Sequence, residues 1–299
     1  MNRSNYIKEI MTKGDFPTQE IEDVLKSYNE IVNNSEVGLT FEQLVLLYEN
    51  DLLPDFWDAL QTVKKLAEIA EVAKETALLA FIICLTKHLK ERYEKAGIEE
   101  RFFNDVISDI KFKSLECYQV YGIYGTFVPE WFGRFFSMTR FAFGRLQFET
   151  RGLPTDFELD GETIKKGTLA IAVHIPSGGR LDMEECEKSF KLACAKFAPL
   201  FTDGKVLFHC ISWLLAPDNK KLLPASSNIV KFMDFFKIIP WENDIEHDFW
   251  RIFGTMDFKD ASKLPRNNTL QRVYAECAEK GEIPFAGNGI FYMKDGKFC

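Results

Sequence analysis

Residues 168–197 read TLAIAVHIPSGGRLDMEECEKSFKLACAKF. The first eight, TLAIAVHI, are almost unbroken apolar sequence, which predicts a strand covered on both faces. Asp182 and Glu185 then make a capping-box-like start, and Met183, Cys186, Phe190, Ala193, Cys194 and Phe197 repeat on one helical face. Asp203-Gly204 turns the chain, and residues 206–215, VLFHCISWLL, read as a second buried strand. Strand, helix, strand at this spacing is a βαβ-like unit. The joining segment HIPSGGRLD, from His174 to Asp182, ends a buried strand and opens a helix. Its glycines allow close backbone approach, first-turn amides point outward, and the helix dipole and Arg180 add positive potential. Those properties suit a phosphate or pyrophosphate. On spacing alone, one Gly-Gly pair is better read as a plain strand-to-helix turn.

The chain ahead of this unit has a different character. Ile21, Val24, Leu25, Tyr28, Ile31 and Val32 recur at three- and four-residue steps, predicting a helix from Thr18 to Asn33-Asn34. A second runs from Thr40, with Phe41, Leu44, Val45 and Tyr48 inward, and ends before Pro54. Residues 55–95 read as two helices closed by Gly97, and 99–118 as another. No strand alternation is visible before residue 120. Composition then shifts: residues 131–148 carry Trp131, Phe132, Phe135, Phe136, Phe141, Phe143 and Phe148, and strand-type residues begin at Arg140. That aromatic run reads as a seam between helices and sheet, or as the wall of an apolar pocket.

Downstream, Asn228 is expected to open a helix through Phe232 and Phe235. Residues 237–241 and 249–253 read as a hairpin across the acidic run 242–248, which lacks the pattern of a calcium loop and reads as a solvated turn. Asn268 or Thr269 caps a helix ended by Gly281, and residues 290–293 form a last short strand. The expected fold class is α/β, with a mixed sheet, behind an all-α N-terminal domain (1–125 and 126–299).

Lys plus Arg total 37 and Asp plus Glu 45, a formal net charge of -8 that disfavours nucleic-acid binding. The 7 Cys form no CxxC pair and no zinc-ligand spacing, so no metal site is expected and reduced core thiols are. The longest apolar run, residues 77–85, is far below the roughly 20 residues of a membrane span, so a cytoplasmic protein with no membrane partner is expected. The aromatic composition is unusual in one respect: 28 Phe against 9 Tyr and 5 Trp.

The segment 168–197 resembles the fourth strand, phosphate loop and third helix of the GNAT acyltransferase superfamily. Asn228-Ile-Val-Lys-Phe-Met-Asp-Phe235 is similar to the start of its fourth helix. HIPSGG, CISWLLAP, LPASSNIVKF and LPRNNTLQR together resemble a bacterial family of acyltransferase-domain proteins, over roughly residues 143–272. That family pairs a helical N-terminal domain with a GNAT-like C-terminal domain. The resemblance implies acyl-CoA (acetyl-CoA or a longer thioester) as co-substrate, held by Ile175, Ser177, Gly178, Gly179, Arg180 and Asn228. It implies transfer to an amine, a small molecule or a peptide, and homo-oligomerisation is left open. Such a reaction needs a base to deprotonate the amine. His174 at the strand end and Glu149 at the end of the aromatic strand are the candidates, each with a plain structural reading beside it. Ser212 and Cys210 share one face of VLFHCISW and could touch the acyl group; Cys210 reads as an inert thiol. Phe235 stands where the superfamily often has a Tyr, and the loop is shorter than usual. These departures favour the alternative of a non-catalytic GNAT-like ligand- or partner-binding protein, whereas the retained Gly-Gly and Asn228 favour the N-acyltransferase, which is the main reading.

Overall fold

A computed structural model describes residues 2–159, 161–241 and 249–299. The chain forms two compact units, Met1–Phe141 and Ala142–Cys299.

The first unit is helical. Its elements are α1 (Arg3–Lys13), α2 (Thr18–Asn33), α3 (Gly38–Glu49), α4 (Phe56–Ile69), α5 (Lys74–Lys95), α6 (Glu100–Tyr121) and the short α7 (Gly133–Phe136). Helix α5 is central because its sequence is apolar all round. Ala77 through Leu85 are buried without a break, and α1, α2, α3, α4 and α6 pack around it. A helix that is hydrophobic on every face has to sit inside. Helix α1 carries only Ile7, Ile10 and Met11 as its buried face, too short a repeat to stand out in sequence.

The second unit is built on a sheet. Its strands are β1 (Arg140–Phe143), which leads in from the first unit, β2 (Leu146–Gly152), β5 (Leu169–His174), β6 (Val206–Ser212), β7 (Lys237–Trp241), β8 (Ala286–Lys294) and β9 (Lys297–Phe298). A separate hairpin is made by β3 (Phe157–Leu159) and β4 (Glu162–Ile164), which the sequence reading left unassigned. The order is β1-β2-β5-β6-β8-β7, with β9 beside β8. β5 and β6 are parallel; β2–β5, β6–β8 and β7–β8 are antiparallel. Helix α8 (Met183–Phe197) joins the parallel pair, as the βαβ pattern predicts. The remaining helices are α9 (Asn219–Leu222), α10 (Asn228–Met233), α11 (Phe249–Phe253) and α12 (Thr269–Lys280).

The Phe surplus is concentrated around one ring. Phe190 on α8 is fully buried, with Phe148, Phe208, Phe232, Phe235, Phe236, Phe291 and Phe298 at centroid distances of 5.0–6.3 Å. The run 131–148 divides between the two cores. Phe132, Phe135 and Phe136 are buried in the first unit, and Phe143 and Phe148 in the second.

Four expectations are corrected. Residues 249–253 form helix α11, not a strand, and β7 pairs with β8 instead. FWRIF is apolar nearly throughout, so periodicity cannot separate helix from strand, and Phe249, Ile252 and Phe253 join a cluster with Leu264, Tyr274 and Ala286. The second strand stops at Ser212, where a 3₁₀ turn over Trp213–Leu215 begins. The last strand is longer than residues 290–293 and lies inside the sheet. Gly287 makes this crossing feasible, since a Cβ there would sit 1.8 Å from the Leu215 carbonyl oxygen. Finally, α10 opens at Asn228 as expected, with Ser227 as its cap, but it ends at Met233, before Phe235. The acidic run 242–248 lies outside the described residues.

Candidate active site

The β2–β5 register pairs Gln147 with His174 and Glu149 with Ala172. Side chains alternate along a strand, so Gln147, Glu149 and His174 share one face of the sheet. Ala172 pairs with His209, and Ile211 with Asn288, which brings His209 and Asn288 to that same face. The opposite face carries Phe148, Phe208 and Phe291 against Phe190.

The parallel strands part at this place. β5 and β6 pair at Ile171–Phe208 and Ala172–His209; beyond, β5 runs on to His174 and β6 to Ser212 with no pairing between them. Ligands of open α/β sheets bind outside the carboxyl ends of strands. Glu149, 1% exposed, places Oε1 3.1 Å from His174 Nε2, an ion-pair approach rather than an aligned hydrogen bond. The His174 ring is 20% exposed and therefore reachable. The two candidate bases are thus one pair, formed diagonally across two strands.

The loop after His174 is built from an unforeseen residue. The Arg145 guanidinium donates to the Pro176 carbonyl at 2.8 Å and to the Arg180 carbonyl at 3.1 Å, and its backbone N–H donates to Ser189 Oγ at 3.0 Å. Burial pushes the Arg145 guanidinium below the usual arginine value, but it stays charged. In a trans peptide the N–H points opposite to the C=O, so fixing these carbonyls turns the Ser177 and Leu181 amides away from Arg145. Among the described residues nothing accepts from the backbone amides of Ser177, Gly178, Gly179 or Arg180. Gly179 adopts φ +72° with no atom within 4 Å of where a Cβ would stand, so the loop is open there.

The helix terminus departs from expectation. The Asp182 carboxylate caps α8, accepting from the Glu184 and Glu185 amides at 3.0 and 3.2 Å. An acidic cap already satisfies the donors an anion would use, so anion capacity lies in the loop amides and Arg180 instead.

The other candidates are dispersed. Ser212 lies on the opposite face of β6 from His209, and its Oγ accepts from the Leu214 amide at 3.1 Å, capping the turn. Asn228 is the first residue of α10. Cys210 is buried and desolvation raises its thiol to about 12, which keeps it protonated and unreactive. Phe235 is half-buried and stacks on the exposed Phe298 at 5.3 Å.

His209 and Asn288 were missed by the sequence reading. His209 Nε2 and Asn288 Oδ1 are 2.7 Å apart, both residues buried. The signal available was a His in the alternation Leu207, His209, Ile211 of an otherwise apolar strand. Desolvation, above all, lowers His209 from 6.5 to about 4. Between those values the unfolded chain binds the extra proton, so stability is complete above 6.5 and declines as pH falls toward 4. The melting temperature is expected to drop between pH 7 and 5, with a limit of about 1.4 kcal/mol per pH unit from this group. His209→Gln should flatten that slope in thermal melts.

Family models decide what this architecture is. Residues 5–138 match the N-acyltransferase N-terminal domain, and residues 141–291 match the GNAT-like C-terminal domain. The chain belongs to this N-acyltransferase family. The family's chemistry is acyl transfer, and this acyltransferase carries both domains in one chain. No curated protein matches it by sequence. Solved structures share its fold. An acyltransferase in complex with decanoyl-CoA and teicoplanin aligns with TM-score 0.74 at 16% identity, over 95% of this chain and 86% of that one. An acyltransferase in complex with CoA and 10C-teicoplanin aligns with TM-score 0.61 at 16% identity, over 95% and 98%. Among the described residues, no helix is long and apolar enough to cross a membrane.

Proposed function

We propose that this acyltransferase moves an acyl group from acyl-coenzyme A to an amine, with His174 as the base. The observation that carries the reading is the parting of β5 and β6 beside the Glu149–His174 pair. Three of the solved neighbours hold CoA or decanoyl-CoA, which supports a thioester donor. The donor, when bound, supplies an activated carbonyl and a thiolate leaving group.

The residues present fit such a molecule. The open amides of Ser177, Gly178, Gly179 and Arg180, with the Arg180 side chain, would hold its pyrophosphate beside Ile175. The neutral His174 imidazole takes the proton as the amine nitrogen forms its bond to the carbonyl carbon and the thiolate leaves. Glu149 fixes the ring and stabilises the imidazolium that results. The Ser212 hydroxyl lies on the opposite face of β6, accepts from the Leu214 amide and takes no part in this step.

A thermal-shift titration with decanoyl-CoA tests the reading. A ligand bound only by the folded state raises the melting temperature, by about 2.7 kcal/mol of stabilisation at a hundred times Kd. Gly178→Asp should abolish the shift through charge and bulk in the loop. No shift in the unmodified protein at millimolar ligand would exclude the donor. Arg145→Met should weaken binding about tenfold or more, since two charge-assisted hydrogen bonds to loop carbonyls are lost. Arg145→Lys should recover part of the loss in calorimetric titration.

A further inference from the structure

We infer that Asn219 and Tyr274 are positioning residues for the donor: they hold the exit of β6 away from β5, so that the gap between these strands receives the acyl thioester. The inference rests on the proposed acyl-coenzyme A donor and adds which residues keep its place open.

The gap can be followed along both strands. β5 and β6 last pair at Ala172–His209. Up to that point they are buried, Ala170 to Val173 on one and Val206 to Cys210 on the other. Beyond it, His174, Ile175 and Pro176 on one side and Ile211 to Leu214 on the other are partly exposed. Solvent therefore reaches the place where the strands part. Backbone N–H and C=O groups alternate between the two edges of a strand. On one edge β6 stays paired to β8, as far as Ser212–Gly287. On the other edge residues 210–212 have no strand partner, so pairing fixes the exit of β6 from one side only.

The turn after Ser212 supplies the hold. Asn219, the first residue of α9, is 0% exposed. Its Nδ2 donates to the Trp213 carbonyl at 3.0 Å and to the Leu214 carbonyl at 3.2 Å. Tyr274 of α12 is also fully buried, and its hydroxyl donates to Asn219 Oδ1 at 2.8 Å. Its ring meets Trp213 edge-on at 6.1 Å. Both donors and the acceptor of the Asn219 amide are thus used, which leaves that side chain one orientation. The direction of the hold follows from the packing. Tyr274 shares a cluster with Ala286 of β8, and Trp213 and Trp241 of β7 pack against it. Both β8 and β7 lie on the side of β6 away from β5. Asn219 and Tyr274 therefore tie the exit of β6 to the far side of the gap, three residues past its last pairing with β5 and just outside the strand ends where ligands of such sheets bind.

The test is calorimetric titration of the full chain with CoA and with decanoyl-CoA. CoA alone reports on the 177–180 loop, and the difference between the two ligands reports on the acyl end. The parent is expected to bind decanoyl-CoA at least about tenfold more tightly, because each methylene removed from water adds affinity. Tyr274→Phe removes one hydroxyl and keeps the ring. It should weaken decanoyl-CoA about tenfold, the effect of one lost buried hydrogen bond, and leave CoA within about twofold. Asn219→Leu, which loses both donors to the turn, should weaken decanoyl-CoA further with CoA again retained. A side chain that only stabilised the unit would weaken both ligands alike, so equal losses overturn the inference. Decanoyl-CoA affinity unchanged in folded Tyr274→Phe also overturns it, as does a Tyr274→Phe chain that fails to fold, which assigns the hydroxyl to stability. Equal affinity of the parent for the two ligands overturns it while leaving the donor intact. A parent that binds neither ligand removes the proposed function and this inference together.

Discussion

Replacing His174 with Ala is expected to lower kcat for acyl transfer by about a thousandfold, because positioned general bases contribute about 10²–10⁴. The argument is geometric. His174 ends β5 where pairing to β6 has stopped, and a buried carboxylate lies 3.1 Å from its ring. A carboxylate beside the ring offsets the charge that appears on proton uptake. The loss should fall on kcat, with the decanoyl-CoA affinity retained, since the loop amides that would hold the donor are independent of the imidazole. Glu149→Gln should cost less, because the ring remains. Added imidazole should restore part of the His174→Ala rate. A variant with kcat within tenfold of the parent would remove His174 from the chemistry.

Phe190→Ala is expected to destabilise the second unit by about 3–5 kcal/mol, the usual cost of emptying a large aromatic site. Seven phenylalanine rings surround this one at 5.0–6.3 Å, most of them edge-on. Edge-to-face pairs add about 0.5–1.5 kcal/mol each beyond area. The ring comes from α8, its neighbours from β2, β6, β8, β9, α10 and the turn after α10, so no single neighbour can collapse into the space. With total stability of about 5–15 kcal/mol, such a loss takes a large share. The melting temperature of the unit should fall by about 10 °C, read by calorimetry. A shift below about 3 °C would mean that the cluster repacks.

These two residues differ in how legible they were. Phe190 was on the predicted inner face of α8, because a 3.6-residue repeat needs no tertiary information. His174 was a candidate from its place at a strand end, and Glu149 from the end of another. Their contact depends on strand register, which a single chain does not display. Arg145 was invisible for a different reason: its partners are backbone carbonyls 31 and 35 residues away, and a carbonyl leaves no trace in side-chain identity. His209 and Asn288 are 79 residues apart and meet only because β8 returns beside β6. The short elements failed where periodicity is weakest. FWRIF at 249–253 has too few residues to show a period, and the β3–β4 hairpin has strands of three residues each. The helices of the first unit, with longer repeats, were readable almost end to end, apart from α1 and the four-residue α7.

In HIPSGGRLD the sequence offers two sets of anion donors, the loop amides and the first-turn amides of the following helix. Asp182 occupies two of those first-turn amides of α8. The donors that remain belong to residues 177–180, and Arg145 fixes the Ser177 amide outward through the Pro176 carbonyl.

The central claim is that this chain transfers an acyl group from acyl-coenzyme A to an amine through His174. The most direct measurement is amine-dependent thiol release from decanoyl-CoA by the purified protein, with the acylated amine identified by mass spectrometry. The account predicts one acylated amine per thiol released, and a rate that falls about a thousandfold in His174→Ala. Decanoyl-CoA that binds the protein and yet releases no thiol with any amine would contradict it.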